Sequence, residues 1–269
     1  MKFSENKNLL GFIQAKPTPS KEDLNSFYEK KYFQNHKGSY QNSYSNNEIE
    51  YFHNIALVSN RVCKSFNIQM SLLDVGCGEG FFAAKCLDLG WSIKCVDFSE
   101  YGINKFNPHI KKYFQKADIY DFVEQSINKK ENFGMINLQH VLEHVIDPVL
   151  LLSELKKTLK KSNSVIRIKV PNDYSSFQKL LTDNKFTENT WFVPPEHLNY
   201  FNNKNIFTLL ESCGFSVLTA LGDFPIEIFI SNMHSNYSKN RSLGKQAHES
   251  RTLIENFLIR ENIDNYISL

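Results

Sequence analysis

The chain has 269 residues, of which 41% are hydrophobic, 31 are basic and 29 are acidic, giving a formal charge of +2. This length and composition are typical of a globular protein with a full hydrophobic core. The near balance of charge disfavours a nucleic-acid ligand, because proteins built around phosphate contacts carry a large basic excess. The five cysteines form no C-x-x-C pair, so neither a disulfide framework nor a zinc site is indicated, and a cytoplasmic location fits best.

The first 47 residues are polar but rich in aromatic side chains. Their longest apolar run, LLGFI at 9–13, is too short for a signal peptide, and no later run approaches membrane-spanning length, so we expect no membrane segment. Two interpretations of residues 1–47 stay open: a flexible leader, or a lid that docks through its aromatic residues. Those aromatic residues are Phe27, Tyr28, Tyr32, Phe33, Tyr40 and Tyr44.

From residue 48 onward, helical and strand-like patterns alternate, which predicts an α/β fold with a mostly parallel, doubly wound sheet and helices on both faces. The predicted strands cover 71–75, 92–97, part of 113–118, 133–138 and 164–170. The predicted helices cover 48–65, 81–89, a segment behind Ser99, 121–129 and 148–161, the last one with Asp147 as its N-cap.

The regular alternation ends at Pro171. We expect an aromatic-rich insertion over 172–202, a helix over 203–213 and a strand over 215–222, which together close a domain spanning 48–225. Residues 226–269 are predicted to be a helical extension.

The strand over 71–75 ends in a glycine-rich turn with Gly76, Gly78 and Gly80. A dinucleotide-binding fingerprint would need a further glycine where Phe81 stands, so a nicotinamide cofactor is disfavoured. Acidic residues fall at or just after strand ends: Asp74, Glu79, Asp97 and Asp118. They suit a cationic ligand better than a pyrophosphate. S-adenosylmethionine (SAM) carries a sulfonium and an ammonium, and its ribose offers hydroxyls to an acceptor such as Asp97.

Four motifs in order resemble the class I SAM-dependent methyltransferases: DVGCGEG at 74–80, VDFS at 96–99, KADI at 116–119 and HVLEHVIDP at 140–148. The resemblance covers about residues 48–220 and implies a seven-stranded Rossmann-like sheet. It implies that Asp74, Gly76 and Gly78 bind the methionine part of SAM, to which Leu138 and Gln139 also offer backbone groups. Asp97 would bind the ribose. Phe98 and Ile119 would pack on the adenine, and Asp118 would accept a hydrogen bond from the adenine amino group.

Three polar residues, His140, Glu143 and His144, have the spacing of one face of a helical turn. The segment is similar to metal-dependent O-methyltransferases of ubiquinone biosynthesis, which have acidic residues at the first two positions and a histidine at the third. Either the three bind a divalent cation such as Mg²⁺ or Mn²⁺, or they are structural, as a hydrogen-bonded histidine and a helix-capping glutamate. Because methyl transfer to a hydroxyl needs a base, Glu143 and His144 are also catalytic candidates.

A further catalytic candidate, His197, lies in FVPPEHLNYF. The family's P-x-H-L-x-x-F pattern is met by Pro195, His197, Leu198 and Phe201. In bacterial methyltransferases that modify surface sugars, a similar loop lies over the acceptor, which implies that His197 is a base or a substrate contact; the alternative is a structural histidine. Two positions depart from the family. Gly134 replaces an aspartate, and the last strand is either supplied by PIEIFIS at 225–231 or absent.

The sequence therefore predicts an O-methyltransferase that acts on a small polar acceptor, such as a sugar nucleotide or another precursor of a bacterial capsule or surface glycan, phosphoramidate decorations included. A quinone or phenol acceptor is the first alternative, and a noncatalytic SAM-binding module is the second. The expected partner is a small-molecule acceptor, and the oligomeric state is left open.

Overall fold

The computed structural model describes residues 2–32 and 43–262, so Phe33 and Tyr40 of the predicted lid lie outside the described residues. In chain order the elements are β1 (Ser4–Lys7), β2 (Ile13–Lys16), α1 (Lys21–Tyr32), α2 (Asn46–Ser65), β3 (Ser71–Val75), α3 (Phe81–Asp88), β4 (Ser92–Asp97), α4 (Tyr101–Phe106), β5 (Phe114–Lys116), α5 (Ile119–Asn128), β6 (Met135–Gln139), α6 (Pro148–Lys157), β7 (Val165–Lys169), α7 (Ser176–Asp183), β8 (Asn199–Tyr200), α8 (Asn205–Ser212) and α9 (Gly244–Asn262).

The chain forms two compact units. The sheet unit comprises Ser20–Leu142 and Asp147–Val170, and the hairpin unit comprises Met1–Pro19, Glu143–Ile146 and Pro171–Glu261. These units cut across the predicted segments 1–47, 48–225 and 226–269. Among the described residues, no helix combines the length and the apolar character needed to cross a membrane.

The sheet unit confirms the predicted α/β architecture. Its five parallel strands have the order β5-β4-β3-β6-β7, so the strand order reverses between β3 and β6. In open α/β sheets, ligands bind beyond the carboxyl ends of the strands at such a reversal, which is where β3 leads into the glycine turn. The predicted helices and strands from 48 to 170 are all present, with modest shifts at their ends.

The core of the sheet unit follows from the continuous apolar pattern of β3, whose Leu72, Leu73 and Val75 are almost fully buried. Helix α2 packs against α3, and its N-cap is Ser45, whose side chain accepts from the Glu48 backbone N–H in a capping box.

Two departures have physical explanations. A side chain at Gly134 would overlap the backbone carbonyl oxygen of Gln69, so no aspartate can stand there. The predicted strand over 215–222 has no regular secondary structure, and Ile226–Ser231 is a 3₁₀ helix. Among the described residues, neither segment pairs with the parallel sheet, so five of the expected seven strands are present there.

The hairpin unit contains a second sheet that the sequence did not predict. Antiparallel strands β1, β2 and β8 pair in that order, so residues assigned to a leader form strands. Phe12, between β1 and β2, is 1% exposed, and its ring lies 4.9 Å from that of Phe201. The Ala15 N–H donates to the Leu198 carbonyl at 2.9 Å, so the hairpin anchors the chain directly after His197.

Candidate active site

The glycine turn of the sheet unit has three residues with positive φ, but their surroundings differ. A Cβ at Gly76 would lie 2.7 Å from Val141 Cγ2, and one at Gly80 would lie 2.8 Å from Ile110 Cδ1. A Cβ at Gly78, where φ is +54°, would meet no atom within 4 Å. Gly76 and Gly80 are therefore needed for packing, whereas Gly78 borders open space that a ligand can approach closely.

Asp97, at the end of β4, holds this turn in place. Its Oδ2 accepts from the Gly78 N–H at 3.0 Å and its Oδ1 accepts from the Ser99 N–H at 2.9 Å. Burial raises the pKa of Asp97 to about 6, although these backbone hydrogen bonds oppose the shift. Each carboxylate oxygen has a second lone pair, so Asp97 can still accept a hydrogen bond from a ribose hydroxyl.

Asp74, near the end of β3, belongs to a buried polar network across three strands. Asn137 Nδ2 donates to Asp74 Oδ1 at 2.7 Å, and Arg167 Nη1 donates to Asn137 Oδ1 at 2.6 Å and to Gln139 Oε1 at 3.1 Å. Burial raises the pKa of Asp74 to about 7. Its buried Oδ2 accepts no hydrogen bond from any residue that the structure describes. A cation would satisfy this oxygen.

Sequence reasoning missed Asn137 and Arg167 in this network. The available signal was a polar residue inside each of two otherwise apolar strands, since a buried polar side chain in a strand needs a partner.

The other predicted cofactor residues differ in their burial and in their hydrogen-bond partners. Phe98, Ile119 and Gln139 are half-buried, whereas Leu138 is fully buried in β6. Asp118 is the N-cap of α5, accepting from the Tyr120 N–H at 3.0 Å. It also lies 3.3 Å from Lys21 Nζ. Its predicted contact with the adenine amino group stays a prediction.

Tyr44 is a contributor to the turn that was assigned only to the leader or lid. Its hydroxyl hydrogen-bonds the carboxylate of Glu79 within the glycine turn. Its ring lies 5.5 Å from Phe52, 5.2 Å from Phe81 and 5.0 Å from Phe106. This aromatic packing fixes the chain just before α2 against the turn.

Taken residue by residue, the turn fits SAM. Gly78 leaves room for the backbone to approach a ligand, and the unsatisfied Asp74 oxygen suits a positively charged group. The acidic residues at the strand ends would oppose a pyrophosphate.

A second group of functional side chains lies in the hairpin unit. The candidate ligand atoms of Glu143, His144 and His197 all lie within 4.8 Å of one another, and the two imidazole centroids are 4.8 Å apart. His144 Nδ1 is 2.7 Å from the Glu196 carbonyl oxygen. Because a carbonyl can only accept, Nδ1 carries the proton, and Nε2 of the neutral ring has a lone pair for a proton or a metal ion.

Backbone pairing explains how these residues come together. The Glu143 carbonyl accepts from the Leu198 N–H at 2.7 Å and from the Asn199 N–H at 3.1 Å. Asn199 Nδ2 also donates to the Val145 carbonyl at 2.7 Å. The segment 143–146 is thereby joined to the start of β8, and Glu143 is 1% exposed.

The helical turn expected over 140–144 is wrong. His140 has φ +55°, is exposed, and donates its backbone N–H to the Lys169 carbonyl at 2.9 Å. Residues 142–144 form a turn instead of a helix, so the helical spacing does not place His140 beside Glu143 and His144. The cluster contains His197 in place of His140. Asp147 caps α6 as predicted, accepting from the Leu150 N–H at 2.9 Å.

Known proteins match the chain at the level of the family. A family model described as a methyltransferase domain matches residues 47–220. The ubiquinone biosynthesis O-methyltransferase of Pelagibacter ubique is 26% identical over 61% of this chain and 76% of that protein. Its counterpart from Bradyrhizobium diazoefficiens is 23% identical over 54% and 61%, respectively.

A SAM-dependent methyltransferase from Archaeoglobus fulgidus is a similar solved structure, with 22% identity, a TM-score of 0.46, and coverage of 84% of this chain and 92% of that one. The family model covers well over half of the chain, and its matched residues contain all four sequence motifs. The protein therefore belongs to the methyltransferase-domain family and is a class I SAM-dependent methyltransferase.

Proposed function

We propose that the protein transfers the methyl group of SAM to a hydroxyl oxygen of a small polar acceptor. The observation that supports this is the Glu143–His144–His197 cluster, in which the Glu196 carbonyl fixes the proton of His144 on Nδ1. SAM supplies a methyl group already activated by its sulfonium. The residues of the protein therefore have to align the acceptor and remove its hydroxyl proton.

His144 is suited to receive that proton. As the acceptor oxygen forms its bond to the methyl carbon, the hydroxyl proton passes to His144 Nε2, and S-adenosylhomocysteine leaves uncharged at sulfur. The buried Glu143 carboxylate within the cluster favours the resulting imidazolium.

A divalent cation is a second way to use the same cluster. Two imidazole nitrogens and one carboxylate oxygen are donors that suit Mn²⁺ better than Mg²⁺, which prefers oxygen ligands. A bound cation would lower the pKa of the acceptor hydroxyl. A mechanism with His144 as the base and a mechanism with a bound cation predict different effects of a chelator on activity.

For the acceptor, we propose a sugar nucleotide or a related precursor of a bacterial surface glycan, methylated in the cytoplasm where such precursors are made. The P-x-H-L-x-x-F loop around His197 supports this assignment. A phenolic or quinone-derived acceptor is the second candidate, because the chain is similar to ubiquinone biosynthesis O-methyltransferases.

The test is methyl transfer from labelled SAM to a panel of nucleotide sugars and catechols by wild type, His144→Gln, His197→Gln and Glu143→Gln. His234→Gln serves as the control, since His234 is exposed and lies outside the cluster. We expect His144→Gln to lower kcat by about 10²- to 10⁴-fold while S-adenosylhomocysteine affinity stays unchanged.

Chelation separates the two roles of the cluster. Loss of activity in EDTA, restored by Mn²⁺, supports the cation, and activity that persists in EDTA supports the base. Full turnover by both histidine variants contradicts the assignment. SAM binding without transfer to any acceptor would favour a noncatalytic module.

A further inference from the structure

A cleft of about 900 Å³ lies within the hairpin unit, and none of its lining residues belongs to the Glu143–His144–His197 cluster. Its walls come from the segment 174–191 and from Ser238 and Lys239. This region includes most of the insertion expected over 172–202. In that insertion, the sequence analysis predicted a ligand contact at His197 alone. The lining combines cationic, aromatic and hydroxyl side chains.

The cationic part of the lining is made by Lys179, Lys185 and Lys239. Lys179 Nζ is neutralised by Asp183 at 2.8 Å. Lys239 Nζ donates to the Lys185 carbonyl at 3.0 Å, which brings these two residues together. Within residues 2–32 and 43–262, neither Lys185 nor Lys239 forms an ion pair, so two ammonium groups are available to an anion.

The aromatic part is made by Tyr174 and Trp191, whose rings meet edge to face with centroids 6.1 Å apart. Both rings line the cleft and are half-buried, so each has a fixed surface for a flat ligand ring. Trp191 Nε1 is buried and has no acceptor among the described residues. Asn189 and Glu188 add an amide and a carboxylate that can bind sugar hydroxyls.

The same aromatic wall continues to the histidine cluster. The ring of Tyr174 lies 6.0 Å from that of Tyr200, and Tyr200 lies 6.2 Å from the imidazole of His197. The Tyr200 hydroxyl donates to the His197 carbonyl at 2.8 Å. The cleft and the cluster are thus held by one continuous set of packed rings within the hairpin unit.

We infer that this cleft binds the nucleoside diphosphate part of the acceptor, with Lys185 and Lys239 on the phosphates and Trp191 and Tyr174 against the base. The inference rests on the proposed function and makes it more specific. A quinone or simple phenol has neither a phosphate for the lysines nor a sugar for Asn189 and Glu188, so the chemistry of the cleft favours a nucleotide-linked acceptor.

The first experiment is calorimetry at saturating S-adenosylhomocysteine, which keeps nucleotides out of the SAM site. The probes are the 5′-diphosphates of uridine, cytidine and guanosine, with inorganic pyrophosphate as the base-free probe. We expect at least one nucleotide to bind, and we expect its affinity to fall as salt concentration rises.

Variants locate the binding. Lys185→Gln together with Lys239→Gln is expected to weaken nucleotide binding about tenfold or more, through the loss of charge-assisted hydrogen bonds. Lys185→Gln alone retains the hydrogen bond from Lys239 to the backbone carbonyl of residue 185. This single variant therefore tests the loss of charge even if the double variant misfolds. Lys245→Gln, on an exposed part of α9 outside the cleft, is the matched control. Trp191→Leu should weaken nucleotides but not pyrophosphate.

The inference is overturned if no nucleotide binds while S-adenosylhomocysteine does, or if the lysine variants bind as tightly as Lys245→Gln. Either result leaves the proposed methyl transfer standing when an unphosphorylated acceptor is methylated. Nucleotide binding that depends on the lysines, combined with no transfer to any acceptor, would instead support the cleft and contradict the proposed function.

Discussion

At the scale of single residues, the glycine turn shows that one motif contains positions with different tasks. Gly76 and Gly80 each have a neighbouring side chain where a Cβ would stand, whereas Gly78 borders open space and donates its N–H to Asp97. The spacing of the motif identifies all three residues as a turn. It does not distinguish the glycines that permit packing from the one that borders open space.

Two alanine substitutions should separate these tasks. Gly78→Ala is expected to cost only about 1 kcal/mol of stability from its positive φ, but to weaken S-adenosylhomocysteine binding about tenfold, because the new methyl group enters the open space. Gly80→Ala should destabilise the fold by about 2 kcal/mol or more, because its Cβ would lie 2.8 Å from Ile110 Cδ1 and 3.1 Å from Ile103 Cγ1. Calorimetry and thermal unfolding measure the two effects. Equal loss of stability in both variants would contradict this division.

His144 and His197 could be named from the sequence, but not as neighbours. Their separation in the chain is large, and the expected helical turn placed His140 beside His144 instead. The contact between the two histidines depends on the pairing of Glu143 with Leu198 and Asn199, which is a long-range backbone interaction. No local pattern around His140 or His144 encodes that pairing.

At the scale of elements, the helices and strands of the sheet unit were predictable because each has a strong local pattern. The hairpin β1–β2 was not predictable, because its strands are short and all four residues of β1 are exposed. Such strands are stabilised by their partners more than by their own sequence. Within the apolar run 9–13, the ring of Phe12 packs on that of Phe201.

This structural role of the hairpin is testable at Phe12. Phe12→Ala should lower the free energy of unfolding by about 3–5 kcal/mol, since it removes a fully buried ring. Leu9→Ala is the control, because Leu9 lies in the same turn and is fully exposed, and it should change stability by less than about 0.5 kcal/mol. Chemical denaturation monitored by circular dichroism gives both values. A Phe12 variant as stable as the Leu9 variant would show that residues 1–19 are a loose leader.

At the scale of the whole molecule, three buried carboxyl groups make stability depend on pH. Burial raises the pKa of Asp74 and Asp173 to about 7 and that of Asp97 to about 6, each from 3.8. A raised folded-state pKa means that the folded protein binds the proton more tightly than the unfolded chain. This contribution to stability is fully present below about pH 4 and is lost as the pH rises through 6 to 7.

We therefore expect the melting temperature of the ligand-free protein to fall between pH 5 and pH 8. Asp74→Asn should reduce this fall, because the amide cannot ionise, and should melt above wild type at pH 8. Asp183→Asn, at an exposed surface pair with Lys179, should leave the slope unchanged. Scanning calorimetry between pH 5 and pH 8 measures the melting temperatures of wild type and both variants. A wild-type melting temperature that rises toward pH 8 would mean that these carboxyl groups are not buried as described.

The sequence by itself determined the parallel sheet, the glycine turn and the acidic residues at the strand ends, because these depend on local periodicity and on short motifs. Only the tertiary structure decided that residues 4–16 form a strand hairpin, that His197 and not His140 joins Glu143 and His144, and that the insertion forms a cationic and aromatic cleft. The physical reason is the same in all three cases. Each feature requires backbone pairing or side-chain packing between segments far apart in the chain. The sequence of one segment alone does not specify the favourable free energy of such long-range contacts.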